Sequence, residues 1–136
     1  LVVVDDDKDG KKYKKNILNL GGIYNLNNVF TIRDIVGNAI DNATIEDLLD
    51  INYIKQEFNK FYNKLYGEKT NEFEIKTNRP IIEQIIIFLK QNGKILSWDM
   101  DLFKKEVSDN FKPTKISLAN KNPLLKQFAE KLLDKL

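Results

Sequence analysis

The chain begins with an unbroken apolar run, "LVVV", and ends on leucines spaced at helical intervals. The opening run is β-branched and shows no alternation, so it reads as a strand buried on both faces, as in a parallel sheet. Asp9 can cap a helix carrying Lys11, Lys12, Tyr13, Lys14, Lys15, Ile17, Leu18 and Leu20, with Gly21-Gly22 as its stop. "NVFTI" (28–32) predicts a second short strand, and the three segments together predict a β-α-β unit with a right-handed crossover. A polar stretch, "DIVGNAIDNAT", leads to Thr44, which can cap a short helix whose first turn holds Glu46 and Asp47.

Beyond residue 50 the apolar period becomes helical. In "NYIKQEFNKFYNKLYG" the residues Ile54, Phe58, Phe61 and Leu65 share one face, and Gly67 ends the helix. "FEIK" predicts a short strand. "PIIEQIIIFLKQNG" predicts a helix entered at Pro80 and stopped at Gly93. "SWDMDLFKKEVSDNF" predicts another, capped by Ser97. After Pro113 and "TKISLA", Pro123 starts an amphipathic helix with Leu124, Leu125, Phe128, Leu132 and Leu136 on or near one face. The expected class is α/β: a partial, Rossmann-like parallel-sheet unit over 1–50, then a mostly helical part over 51–136 packed on it in one compact domain.

Composition narrows the chemistry. At 136 residues and 42% hydrophobic, the chain can bury a real core. A formal net charge of +2 excludes a polybasic nucleic-acid binder acting by bulk electrostatics. There is no Cys and no His, which removes disulfides, thiolate metal sites, the commonest zinc ligand and the commonest general base. Catalysis would have to rest on carboxylates, Lys, Arg, Tyr or a bound hard metal ion. The longest apolar stretch, "IIIFL", is too short to span a bilayer, and the first four residues are too short for a signal peptide's apolar region. No membrane partner and a cytoplasmic location are therefore expected.

The densest candidate chemistry is the acidic knot "DDDKDG" at 5–10. Asp5-x-Asp7-x-Asp9-Gly10 matches the first half of a calcium loop. The eighth and twelfth positions are Lys12 and Asn16, where that loop needs an apolar residue and a bidentate Glu, and a strand precedes it where a helix should. A magnesium site suits the knot better. Ligands of open parallel sheets gather at the carboxyl ends of the strands, where Asp5 and Asp7 lie two apart and Gly10 lets the chain turn tightly into the helix. The plain alternative is a solvated loop compensated by its lysines. Glu46-Asp47 is ordinary first-turn chemistry alone, but it follows the next strand, so the β-α-β unit brings it to the sheet edge of Asp5 and Asp7. Two acid clusters at one edge suit a one- or two-metal phosphodiester site.

Three segments also resemble a known family, in the family's order and over nearly the whole chain. "LVVVDDDKDGKKYKKNIL" resembles the Asp-x-Asp motif of Toprim domains, which occur in topoisomerases, primases and OLD-family endonucleases. "ATIEDLLD" resembles the Ser/Thr-Ile-Glu-Asp-Leu-Leu segment of OLD-family proteins, and "TKISLANKNPLLKQFAEKL" their Lys-x-x-x-Ala segment and closing helix. The resemblance implies a partial Toprim-like fold and a DNA endonuclease dependent on Mg2+ or Mn2+, acting in phage defence or DNA processing. It makes Asp5 and Asp7 metal ligands, with Glu46 and Asp47 as the second cluster. Glu46 and Lys115 become catalytic residues, Lys115 beside the scissile phosphate, where its charge stabilises the transition state. Implied partners are DNA, weakly held by this chain, the ATPase domain of the same parent protein, and, in a homo-oligomer, a second copy.

The family's Glu-Gly after an earlier strand and a Walker A loop have no counterpart in these residues. The chain is thus expected to be the C-terminal part of such a protein and to cut no DNA by itself. The alternative is a non-catalytic interaction module of a larger ATPase-nuclease. A topoisomerase needs a nucleophilic Tyr, and Tyr13, Tyr24, Tyr53, Tyr62 and Tyr66 fall mostly on helices that read as structural.

Overall fold

A computed structural model describes residues 1–37, 41–68, 73–76 and 80–136. The protein is mixed α/β and mostly helical, with a small parallel sheet of two strands. Strand β1 (Val2–Val4) pairs with β2 (Val29–Thr31), Val2 opposite Val29 and Val4 opposite Thr31. β2 is buried throughout. β1 is only half-buried, which corrects the expectation of a strand covered on both faces.

Helix α1 (Lys8–Leu20) connects the strands. Its cap is Asp7 and not Asp9: Asp7 Oδ1 accepts the Gly10 N–H at 2.7 Å, and Asp9 lies in the first turn, where its charge faces the positive end of the helix dipole. The helix stops at Gly21, whose φ of +64° is open to glycine at little cost. Directly after β2 the chain turns into a short helix, α2 (Ile32–Val36), which takes the last residue of the expected strand and the start of the polar stretch. A capping box starts it. Thr31 Oγ1 accepts the Asp34 N–H at 3.2 Å, and Asp34 Oδ2 accepts the Thr31 N–H at 2.7 Å. Residues 38–40 of that stretch lie outside the described residues. The short helix expected after Thr44 is a 3-10 turn, Ile45–Leu48.

The helices beyond follow: α3 (Ile51–Tyr66), α4 (Ile81–Gln91), α5 (Met100–Asn110), α6 (Lys115–Lys121) and α7 (Pro123–Leu133). Residues 73–76, expected as a strand, are irregular. Helix α5 is capped by Asp99, whose Oδ1 accepts the Leu102 N–H at 3.0 Å. Ser97, the expected cap, instead shares a hydrogen bond of 2.8 Å with the Tyr66 hydroxyl. None of the described helices is long and apolar enough to cross a membrane.

Two cores result. The larger joins α3, α4 and α5 around the fully buried Phe58, whose ring centroid lies 4.4 Å from Phe73 and 5.2 Å from Trp98. Burying such a ring contributes about 2–3 kcal/mol. The smaller core holds Phe30, Ile32, Ile35, Ala43 and Leu48 of the β-α-β region, and Phe128 of α7 closes it with Leu124, Leu125 and Leu132 beside it. Helix α7 thus crosses back over the boundary expected near residue 50, while Leu136 stays exposed.

Gly10 sets how closely α1 approaches the end of β1. It sits buried inside the helix, and a Cβ there would overlap the Asp5 carbonyl oxygen. Its role is close approach, not the tight turn expected from sequence. Gly-to-Ala inside a helix normally stabilises by about 1 kcal/mol. Gly10→Ala is expected to destabilise the protein instead, by about 2 kcal/mol, because backbone must move to make room. Urea unfolding at an unchanged m-value measures this, and a stabilised variant would contradict the packing.

Candidate acidic site at the end of the parallel strands

The knot after β1 sends successive carboxylates to different tasks, as alternation along an extended segment requires. Asp5 Oδ1 accepts the N–H of Ile45 at 3.0 Å, tying the end of β1 to the 3-10 turn. Asp6 is the buried acid of the knot. Its N–H donates to the Ala43 carbonyl at 2.8 Å, its Oδ2 accepts the Asn42 N–H at 3.3 Å, and Lys11 Nζ lies 3.4 Å from the same oxygen. Lys11 also donates to Asn42 Oδ1 at 3.1 Å, so Asp6 and Lys11 together hold Asn42 at its left-handed φ of +57°. Asp7 spends Oδ1 on the cap of α1. Asp5, Asp7 and Asp9 line one open depression of about 450 Å³ whose other walls include Tyr13, Ile45 and Phe128.

The second acidic pair divides in the same way. Asp47 is buried, and backbone N–H groups engage both its oxygens: Oδ2 accepts from Thr44 at 2.8 Å and Oδ1 from Ile81 at 2.7 Å. It joins the 3-10 turn to the first turn of α4, with both oxygens engaged by the backbone. Glu46 is also buried, but it faces a small cavity of about 190 Å³ shared with Lys104, Ser108 and Phe111. Its Oε1 lies 3.8 Å from Lys104 Nζ, and among the described residues its Oε2 has no hydrogen-bond partner. Buried carboxylate oxygens are rarely left so, because the desolvation is uncompensated.

Burial raises the Asp5 carboxyl above the ordinary carboxylate range. The Ile45 N–H draws it down, the Glu46 charge raises it again, and Lys104 and Asp7 act weakly in opposite directions. Glu46 and Lys104 therefore sit within electrostatic reach of Asp5. Burial likewise raises Asp47, against the lowering effect of its bonds from Ile81 and Thr44.

The structure thus brings Asp5, Asp7 and Glu46 to one end of the sheet and gives Asp47 a structural task. Lys115, expected beside the scissile phosphate, is the exposed first residue of α6, and among the described residues no ion pair joins it to the acids. An ammonium that does reach Glu46 is that of Lys104. Its signal was in the register of α5: it follows the buried Phe103 and precedes the buried Val107 by three, at the margin of the buried face. Among the described residues no three acidic side chains form a group able to hold a metal ion. Comparisons with protein-family models, curated proteins and solved structures returned no match.

The two acids respond oppositely to substitution. A carboxyl whose folded pKa is raised contributes stability below its unfolded pKa and loses it as the pH rises through the folded value. Asp5→Asn keeps an acceptor for Ile45 and removes the half-buried charge. It is expected to raise Tm at pH 7 by roughly 2 °C, with the gain vanishing near pH 3, where the wild-type carboxyl is protonated in both states. Asp47→Ala, which strips two backbone N–H groups of a charged acceptor, is expected to cost about 3 kcal/mol. Calorimetric melting across pH measures both; a destabilised Asp5→Asn at pH 7 would contradict the assignment.

Proposed function

We propose that the chain is part of a divalent-metal-dependent DNA endonuclease of Toprim type, similar to the OLD family, that hydrolyses phosphodiester bonds with Mg2+ or Mn2+ bound at Asp5 and Glu46. The observation that carries this reading is the buried Glu46 oxygen without a partner among the described residues, within electrostatic reach of an Asp5 whose carboxyl is itself raised by burial. Two neighbouring carboxylates in need of positive charge suit a hard cation. Magnesium takes one or two carboxylates and keeps several of its waters, so a pair meets its needs without a third acid. The second oxygen of Asp7 can face the same depression. Asp47 and Lys115 leave the proposed ligand and catalytic set.

A bound divalent ion would supply charge stabilisation for a phosphoryl oxygen. The chain's own residues hold Asp5 against Ile45, keep Glu46 out of water, and set the Lys104 ammonium where it can face an anionic phosphate. A second reading, a non-catalytic interaction module, draws on the acids engaged as caps and ties, since Asp6, Asp7 and Asp47 are explained without any ligand.

Titration calorimetry with manganese separates the two. The nuclease reading expects weak binding of one ion to the wild type and none to the double variant Asp5→Asn with Glu46→Gln. Equal heats for both proteins would favour the interaction module and end the metal reading.

A further inference from the structure

A large open cavity lies away from the acids. It is an open groove of about 880 Å³ between the outer face of α3, the end of α5 and helix α6. Lys55, Lys112 and Lys121 line it, and none of the three takes part in an ion pair among the described residues. Elsewhere many lysines are paired: Lys11, Lys14, Lys60, Lys64, Lys94, Lys104, Lys105 and Lys126 each reach a carboxylate. Asp50 is the acid that lines the groove, and its Oδ1 is turned to the Asn52 N–H at 3.1 Å, where the start of α3 offsets its charge.

The rest of the lining is amide and aromatic. Tyr53 and Phe111 pack with ring centroids 5.4 Å apart, and the Tyr53 hydroxyl donates to the Val107 carbonyl at 2.7 Å, which fixes that ring. Asn122 is buried and rigid at the floor: its Oδ1 accepts the Asp50 N–H at 2.7 Å and its Nδ2 donates to the Ser117 carbonyl at 3.3 Å. Gln56 and Asn120 line the groove too. Ammonium groups, rigid aromatic rings and amides in one open groove are the components that hold a single nucleic-acid strand: cations follow the phosphates, rings stack on bases and amides meet base edges. Phe111 lines both this groove and the cavity of Glu46 and Lys104, so the two adjoin.

We infer that the α3–α6 groove binds one nucleic-acid strand through Lys55, Lys112 and Lys121 and leads it towards the acids at the end of the sheet. The second half of this inference rests on the endonuclease reading; the first does not. An acidic protein segment is the competing occupant, and the mixture of aromatic and amide lining favours the nucleic acid.

Fluorescence anisotropy with a labelled oligothymidine of about ten nucleotides, in EDTA and at low salt, tests the groove without any metal. Weak binding is expected. Lys112→Glu with Lys121→Glu should weaken it about tenfold or more, and each lysine removed should flatten the dependence of log K on log salt by about 0.7. Lys12→Glu with Lys15→Glu, two exposed changes on α1, is the control of equal charge and should leave affinity within about twofold. Equal melting temperatures for the variants confirm that folding is intact. Absence of binding at low salt, equal losses in the groove and control variants, or equally tight binding of a polyglutamate peptide would each overturn the inference. Because the assay contains no metal, its failure leaves the manganese result untouched, and a failed manganese titration leaves this one standing.

Discussion

The carboxylate of Asp47 holds the two halves of this protein in register. It is buried, and it accepts one N–H from its own turn and one from the first residue of α4. The turn it fixes is the one that presents the Ile45 N–H to Asp5 and the Glu46 side chain to Lys104. That bridge ties the turn beside the smaller core, closed by α7, to helix α4 of the larger aromatic core. A buried charge is retained only where such bonds repay its desolvation, and here burial still leaves the carboxyl raised. The joint is therefore a compromise, and the geometry of the acidic site depends on it.

The same logic sorts the other acids. Asp6 is satisfied by a backbone N–H and by Lys11, and Asp7 commits one oxygen to the cap of α1. Asp5 and Glu46 are satisfied only in part. Among the described residues Asp5 has one backbone bond, and Glu46 has a long contact to Lys104 and one oxygen with no hydrogen bond. Incomplete satisfaction costs stability, and proteins commonly concentrate such costs where they bind something. Gly10 belongs to the same arrangement, since only a residue without a Cβ lets α1 come close enough to the Asp5 carbonyl.

What the sequence made legible was local chemistry. Gly21 and Gly67 end their helices in left-handed conformations, Pro123 opens α7, and the helical spacing of Ile54, Phe58 and Phe61 marks the buried face of α3. Competition between neighbouring signals was not legible. Asp7 and Asp9 can both cap α1, and Ser97 and Asp99 can both cap α5; tertiary bonds decide, as when the Tyr66 hydroxyl engages Ser97. The capping box of Thr31 and Asp34 was hidden because β2 runs straight into α2 without a loop. At the site, the acids were visible as a cluster, but which oxygens were already taken depended on contacts between residues as far apart as Asp47 and Ile81. Lys104 was missed for the same reason: an ordinary lysine beside Phe103 becomes a site residue only once α5 packs near the turn.

The central claim is that these acids divide into a set held by the backbone and a pair left for a cation. Carbon-13 resonances of the Asp and Glu carboxyl groups, followed during titration with Mg2+ near neutral pH, address it residue by residue. The account predicts saturable shifts at Asp5 and Glu46, with Asp6 and Asp47 unmoved. Shifts led by Asp47, or uniform small drifts across all the carboxylates, would contradict it.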